Sequence, residues 1–272
     1  MTDSLSFLGA GNMAEAIARS AIAAGVVAAD QITASDRSED RRAVFTGMGC
    51  HATADNAQAI QAIRGGGAVV LSVKPQVFPH VAPELAEHLT DDRVVISIMA
   101  GLTCDKMQDL VGRPFRLVRV MPNTPVMAGQ GMSAIALGPH AKPGDDDLAL
   151  RLFQAGGKAI RVNEADLDAV TAVSGSGPAY AFYLAEAIEQ AAAELGLPDH
   201  ARLLASQTLL GAATLLAQSG EDPADLRQRV TSPGGTTAAA IQSLDDDNVK
   251  NLIAKAVRAA CDRSIELRSG GA

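Results

Sequence analysis

Leu5-Ser6-Phe7-Leu8-Gly9-Ala10-Gly11-Asn12-Met13-Ala14 decides the fold. A short apolar strand pattern runs directly into Gly-x-Gly-x-x-Ala, and a helical pattern follows from about residue 12 to residue 24, stopping at Gly25. In that setting the spacing is a dinucleotide fingerprint. Gly9 permits the tight turn, Gly11 lets a pyrophosphate approach the backbone, and Ala14 lets the helix pack close to its strand. The phosphates would rest on the free N–H groups at the helix start. The plain alternative is a tight strand–helix turn with no ligand.

Outward from this stretch, strand patterns recur at residues 31–34, 68–73, 94–98, 115–120 and 133–137. Helical stretches lie between most of them, as at 56–63 and 81–88. Such alternation predicts a doubly wound parallel sheet. After about Asn163 the strand patterns end, and alanine-rich helices are expected at 164–173, 178–195, 199–219, 223–230, 234–244 and 247–267. The expected fold class is α/β. A Rossmann-type dinucleotide-binding domain would span residues 1–163, and an all-helical substrate-binding and dimerisation domain residues 164–272. Asp145-Asp146-Asp147 and Asp245-Asp246-Asp247 read as N-terminal helix turns favoured by the dipole.

The 272 residues carry a net charge of −8, which argues against nucleic acid as a partner. Apolar residues make up 47% with only 3% aromatics and no Trp, so the core must be built from Ala, Val, Leu and Ile. Cys50, Cys104 and Cys261 are far apart and form no Cys-x-x-Cys or Cys/His cluster, so no metal site is expected. No basic segment followed by a long apolar run opens the chain, and a cytoplasmic protein is expected. Residues 203–220 are free of charge, but Ser206, Gln207, Thr208, Thr214, Gln218 and Ser219 would be penalised in lipid, so no membrane span is expected.

Ligands of doubly wound sheets bind outside the carboxyl ends of the strands. Three short stretches fall there. Ser35-Asp36-Arg37 gives a mixed answer on the coenzyme. An acid commonly binds the ribose diol of NAD, whereas an arginine commonly binds the extra phosphate of NADP. Arg37, with Arg41 and Arg42 one turn on, would surround a phosphate, so NADPH is expected ahead of NADH. Ser72-Val73-Lys74-Pro75 ends the third strand, and Met121-Pro122-Asn123-Thr124-Pro125 fixes a polar loop, including Asn123, where the nicotinamide should lie.

A second informative stretch is Val230-Thr231-Ser232-Pro233-Gly234-Gly235-Thr236-Thr237. It reads as a helix start with Ser232 as N-cap and Pro233 at the first helical position. The N–H groups of Gly234, Gly235, Thr236 and Thr237 would then be free to receive a small carboxylate or phosphate. Two glycines and two threonines are costly in a helix, which favours a ligand over an ordinary cap.

Taken together, the chain resembles the pyrroline-5-carboxylate reductase family over nearly its whole length. The resemblance rests on Phe7–Ile17, Val73-Lys74-Pro75, Met121–Pro125, Ser174-Gly175-Ser176-Gly177-Pro178-Ala179-Tyr180 and, most specifically, Val230–Thr237. It implies reduction of L-1-pyrroline-5-carboxylate to L-proline by NAD(P)H. It also implies that the backbone at Gly234, Gly235 and Thr236 holds the substrate carboxylate, and that Thr237 contacts the ring nitrogen. Coenzyme contacts carry over to Gly9, Ala10, Gly11, Asn12, Met13, Ser35, Asn56, Ser72, Val73, Lys74 and Pro75. Homodimers through interlocked helical domains, assembled further into decamers, are implied as well, with the active site between the cofactor domain and a partner's helical domain. Arg229 stands where the family frequently has an amide, and Asp36 where many members have no acid.

A protonated cyclic imine is already a strong electrophile, so hydride transfer needs placement more than acid–base machinery. That agrees with the lack of any evident catalytic His, Cys or carboxylate pair. Thr237 is expected to position the ring nitrogen. A β-hydroxyacid dehydrogenase would need a base, by resemblance a Lys on the first long helix of the second domain, and residues 178–195 contain none. A broader imine reductase need not bind a carboxylate, and a non-enzymatic dinucleotide-binding regulator would not need the 230–237 stretch.

Overall fold

The computed structural model describes residues Asp3–Arg268. By contacts the chain divides into residues up to Ser176 together with the stretch from Cys261, and Gly177–Ala260. The change from strand to helix comes earlier, at Asn163, but residues 164–176 stay with the sheet. Glu164 is held there by the guanidinium of Arg119 (2.6 Å), and Leu167 is buried against Ala134 and Ala136.

The sheet unit contains strands β1 (Leu5–Leu8), β2 (Ile32–Ser35), β3 (His51–Thr53), β4 (Ala68–Leu71), β5 (Val94–Ser97), β6 (Arg116–Met121), β7 (Gly131–Leu137) and β8 (Gly157–Arg161). Their spatial order is β3-β2-β1-β4-β5-β6-β7-β8. All neighbours pair in parallel except β6 and β7. Helices α1 (Asn12–Ala23), α2 (Glu39–Gly47), α3 (Asn56–Gln61), α4 (Phe78–His88), α5 (Cys104–Val111), α6 (Asp147–Gln154) and the short α7 (Leu167–Val170) complete the unit. The central strands are buried on both faces, which their near-continuous apolar runs require. Phe7, Val70, Ile96 and Val118 enter one core, while Leu8, Leu71, Val95 and Leu117 enter the other. The order reverses on either side of β1 and β4, which places a switch-point crevice outside their carboxyl ends.

Two strands lay outside the sequence expectation of six. β3 is three residues of an exposed or half-buried edge, and β8 is the opposite edge with two of its five residues half-buried and three exposed. Neither has the buried apolar run that marks the central strands. The antiparallel β7 corrects the expectation of a wholly parallel sheet: the short connection at 122–130 returns the chain beside β6 in the opposite sense.

The helical unit contains α8 (Gly177–Glu194), α9 (Ala201–Ser219), α10 (Pro223–Arg229), α11 (Thr236–Asp246) and most of α12 (Val249–Arg268). Within Gly177–Ala260 only Ala201 and Ala205 are buried, whereas Phe182, Tyr183, Leu203, Leu210 and Leu252 are each more than half exposed. No described helix is long and apolar enough to cross a membrane. Asp245 and Asp246 end α11 instead of opening a helix, and Lys250 pairs with Asp245 at 2.9 Å. Asn248, at φ 55°, makes the left-handed step into α12. Ser174–Gly177 is not the separate tight turn that its glycines imply. Thr171–Gly175 forms a π-turn, closed by the Ser176 N–H on the Thr171 carbonyl at 2.8 Å, and α8 starts at Gly177.

Candidate functional site

The crevice at the switch point is a cleft of about 360 Å³. The β1–α1 loop, the end of β2, the starts of α3 and α4, and Ser72-Val73-Lys74 line it. Gly9 has φ +101°, and a Cβ there would stand 2.8 Å from the backbone N of Val73, so only glycine fits between β1 and β4. Gly11 is glycine for another reason. Its φ of −69° suits any residue, and a Cβ would meet nothing within 4 Å. Neither backbone conformation nor protein packing demands it, and the space in front of it is open. No side chain caps the α1 start, which leaves the first-turn N–H groups of Asn12 and Met13 to a ligand. These features fit a dinucleotide pyrophosphate.

Several expected contacts have other duties. The Ala10 N–H donates to Asp36 Oδ2 at 2.9 Å, and its carbonyl accepts from Arg41 Nε at 2.6 Å. Ala10 is fully buried, so its peptide shapes the loop and its N–H is not open to a phosphate. The Ser72 hydroxyl donates to the Gly9 carbonyl at 2.6 Å, tying the loop to β4. Buried Ser35 donates to Asn56 Oδ1 at 2.6 Å, which leaves the Asn56 amide N–H groups without a partner among the described residues. Asn123 is 8% exposed, donates to the Ser174 carbonyl at 3.0 Å and accepts from the Met132 N–H at 2.8 Å. It clamps the β6–β7 connection to the π-turn. Pro75 opens the 3-10 turn Pro75–Val77 and lies outside the lining, whereas exposed Lys74 lies within it.

The three arginines do not surround a phosphate together. Arg41 is held by Glu15 at 2.8 Å, and Arg42 donates to the carbonyls of Asp36 (2.7 Å) and Arg37 (2.9 Å). The Glu15 carboxyl is held below its usual range, chiefly by that Arg41 hydrogen bond. Arg37 is exposed on the cleft rim, and its guanidinium has no partner among the described residues. Val77, His80, Val81 and Glu84 also line the cleft, which the sequence reading missed. Their spacing, on one face of α4 and the residue that precedes it, was the available signal. One Glu84 oxygen is buried without a partner among the described residues, a desolvation cost in the chain as it stands.

The stretch before α11 differs from its sequence reading. Ser232 is not the N-cap and Pro233 is not helical. The Gly235 N–H donates to the Ser232 carbonyl at 3.0 Å, with Pro233 and Gly234 (φ +72°) at the corners. This is the type II turn that Pro followed by Gly favours. Gly235 is the N-cap, without a side-chain cap, and a Cβ on it would stand 2.6 Å from Ser232 Oγ. The Gly235 N–H is therefore committed to the turn. The N–H groups of Thr236, Thr237 and Ala238 and the Thr237 hydroxyl have no partner among the described residues. Arg229 is turned to Glu221 at 2.7 Å.

A glycine-loop cleft on a parallel sheet, followed in the chain by a helical unit with a donor-rich turn, defines the class: a nicotinamide-dinucleotide-dependent oxidoreductase with a helical second unit. Comparison with known proteins makes this particular. Residues 164–267 match the family model for pyrroline-5-carboxylate reductase dimerisation, and residues 4–101 match NADP oxidoreductase coenzyme F420-dependent. The pyrroline-5-carboxylate reductase of Pseudomonas aeruginosa is 42% identical over 98% of this chain and 97% of its own. A Coxiella burnetii pyrroline-5-carboxylate reductase structure superposes with TM-score 0.90 at 38% identity, covering 98% of this chain and 99% of that one. The Plasmodium falciparum pyrroline carboxylate reductase, solved with NADP bound, gives TM-score 0.85 at 27% identity, covering 99% and 98%. The chain belongs to the pyrroline-5-carboxylate reductase family.

Proposed function

We propose that this protein reduces L-1-pyrroline-5-carboxylate to L-proline, with NADPH preferred over NADH, as the reductive step of proline synthesis in the cytoplasm. The observation that carries the substrate assignment is the uncapped start of α11. Its unpaired N–H groups and helix dipole suit one small carboxylate. Ser232, Pro233 and Gly234 shape the turn that presents them, and Gly235 keeps a side chain out of it. The Thr237 hydroxyl hydrogen-bonds the ring nitrogen and fixes the imine carbon for hydride delivery. The reduced nicotinamide supplies the hydride when bound. An unactivated threonine is a poor acid, so Thr237 positions the nitrogen and the proton comes from water.

Gly11, Asn12 and Met13 support the pyrophosphate, Asn56 (oriented by Ser35) the ribose, and Lys74 the cleft rim. The free Arg37 guanidinium supports the preference for NADPH, because a 2′-phosphate gives it the charge partner it lacks. The exposed apolar faces of α8 and α9 support a homodimer through the helical unit, with decamers as a further assembly. The experiment is steady-state oxidation of NADPH and NADH with pyrroline-5-carboxylate, and the reverse reaction with proline at high pH. Pyrroline-dependent oxidation with higher kcat/KM for NADPH is expected. No turnover with either coenzyme would overturn the reading.

A further inference from the structure

An acid at the end of β2 ordinarily reads the ribose diol and rejects a 2′-phosphate. Asp36 occupies that position, yet both of its oxygens are already accepting. Oδ2 takes the Ala10 N–H and Oδ1 takes the Ser38 N–H, each at 2.9 Å. Its own N–H donates to the Thr53 carbonyl at 3.1 Å, and its carbonyl accepts from Arg42 at 2.7 Å. The residue is thus pinned at four points to three segments: the glycine loop, the end of β3 and the start of α2. Across the loop, Arg41 holds the carbonyl of the same Ala10 and is itself held by Glu15 of α1. The Ala10 peptide is gripped on both polar atoms by groups from the β2–α2 region. The loop that must present Gly11, Asn12 and Met13 to the pyrophosphate is set by this grip.

We propose that Asp36 is a positioning residue that braces the glycine loop for either coenzyme and does not select NADH, leaving the choice between coenzymes to Arg37. This rests on the coenzyme reading above. Charge-assisted hydrogen bonds to backbone N–H groups are the strong ones, and a carboxylate in two of them has its charge partly compensated where it stands. That is how an acid and a free arginine sit side by side on the rim of a cleft suited to a 2′-phosphate.

The two roles predict opposite signs. If Asp36 read the ribose, Asp36→Asn would weaken NADH and leave NADPH unchanged or tighter. As a brace, Asp36→Asn weakens NADPH itself, because an amide presents only one acceptor and turns a donor toward the second N–H. The expected rise in Kd is about ten-fold for both coenzymes, the range of one lost charged hydrogen bond. It is measured by titration of coenzyme fluorescence on the full chain. Hydrogen exchange at the Ala10 amide should speed up in the same variant, and kcat at saturating NADPH should hold while KM for NADPH rises. Arg37→Gln should weaken NADPH alone. If Asp36→Asn fails to fold, Asp36→Glu serves: Glu is the other acid that reads a ribose, but its longer stem displaces the brace. NADPH binding that is unchanged or tighter in Asp36→Asn, or NADH binding that is unchanged in Asp36→Glu, overturns the inference. Absence of NADPH and NADH binding by the native protein would instead overturn the coenzyme reading.

Discussion

The sheet unit closes on itself, and the helical unit does not. Around β1 and β4 the large side chains are fully buried, and at the cleft the Ala10 N–H, the Asp36 carboxylate and the Ser72 hydroxyl are paired. Across α8 to α11 most large apolar side chains are exposed, and the donors that begin α11 are unpaired among the described residues. One region has its core finished by its own chain. The other leaves apolar faces and helix-start donors open, which the proposed dimer and the proposed substrate carboxylate would fill.

The sharpest way to break this contrast is to put a charge on the exposed face. Leu210, 60% exposed, is expected to tolerate nothing polar once the faces pair. Leu210→Glu should raise the dimer dissociation constant by at least about a hundred-fold, the scale of a fully desolvated charge without a partner, read by sedimentation equilibrium. An ordinary surface position would shift stability by less than about 0.5 kcal/mol and leave the assembly intact.

The two loop glycines divide the closed region more finely. Gly9→Ala forces a Cβ to within 2.8 Å of the Val73 backbone at positive φ, so thermal stability should fall by several degrees. Gly11→Ala meets nothing in the protein and should leave Tm unchanged, while NADPH binding weakens about ten-fold or more because the methyl group takes pyrophosphate space. Equal Tm loss in both variants would show that Gly11 serves the fold.

Thr237→Ala tests the open region's chemistry. Removing one positioning hydrogen bond of about 1.4 kcal/mol should lower kcat/KM for pyrroline-5-carboxylate about ten-fold, with Tm and NADPH affinity unchanged. Unchanged steady-state constants would remove Thr237 from the mechanism.

These regions were not equally legible in the sequence. The closed one was, because strand periodicity and glycine spacing are local: Leu5–Leu8 and Asn12–Ala23 lie where the pattern puts them. Its edges were not, since His51–Thr53 is too short and too exposed to carry an apolar pattern. The side chains of Ala10's neighbours were also illegible, because the partners of Asp36, Asn123 and Arg41 are distant in sequence. At Ser232 the difficulty was a true degeneracy. Ser-Pro opens a helix and equally opens a type II turn, and Gly at the third turn position was the deciding signal. With Gly235 as the N-cap, the uncapped N–H groups that the proposed reading assigns to a carboxylate shift two residues along, to Thr236, Thr237 and Ala238.

The smallest effect concerns how acid distinguishes the two regions. In the sheet unit Glu164 accepts from the Cys104 N–H at 2.7 Å and from Arg119 at 2.6 Å. Burial alone would raise its pKa, but the Cys104 and Arg119 hydrogen bonds and the charge of Arg119 outweigh it, holding the carboxyl below its ordinary 4.5. A depressed native pKa means the unfolded chain binds the proton first on acidification. Stability from this group is therefore complete above about pH 5 and lost as pH falls through the native value. The pairs of the helical unit, Arg229 with Glu221 and Lys250 with Asp245, are exposed and screened, so they contribute little. Glu164→Gln should lower stability at pH 7 and flatten the decline below pH 4.5, followed by urea melts at stepped pH. A variant with the same acid limb as the native chain would mean that the Arg119–Glu164 pair does not link the sheet to the segment that follows it.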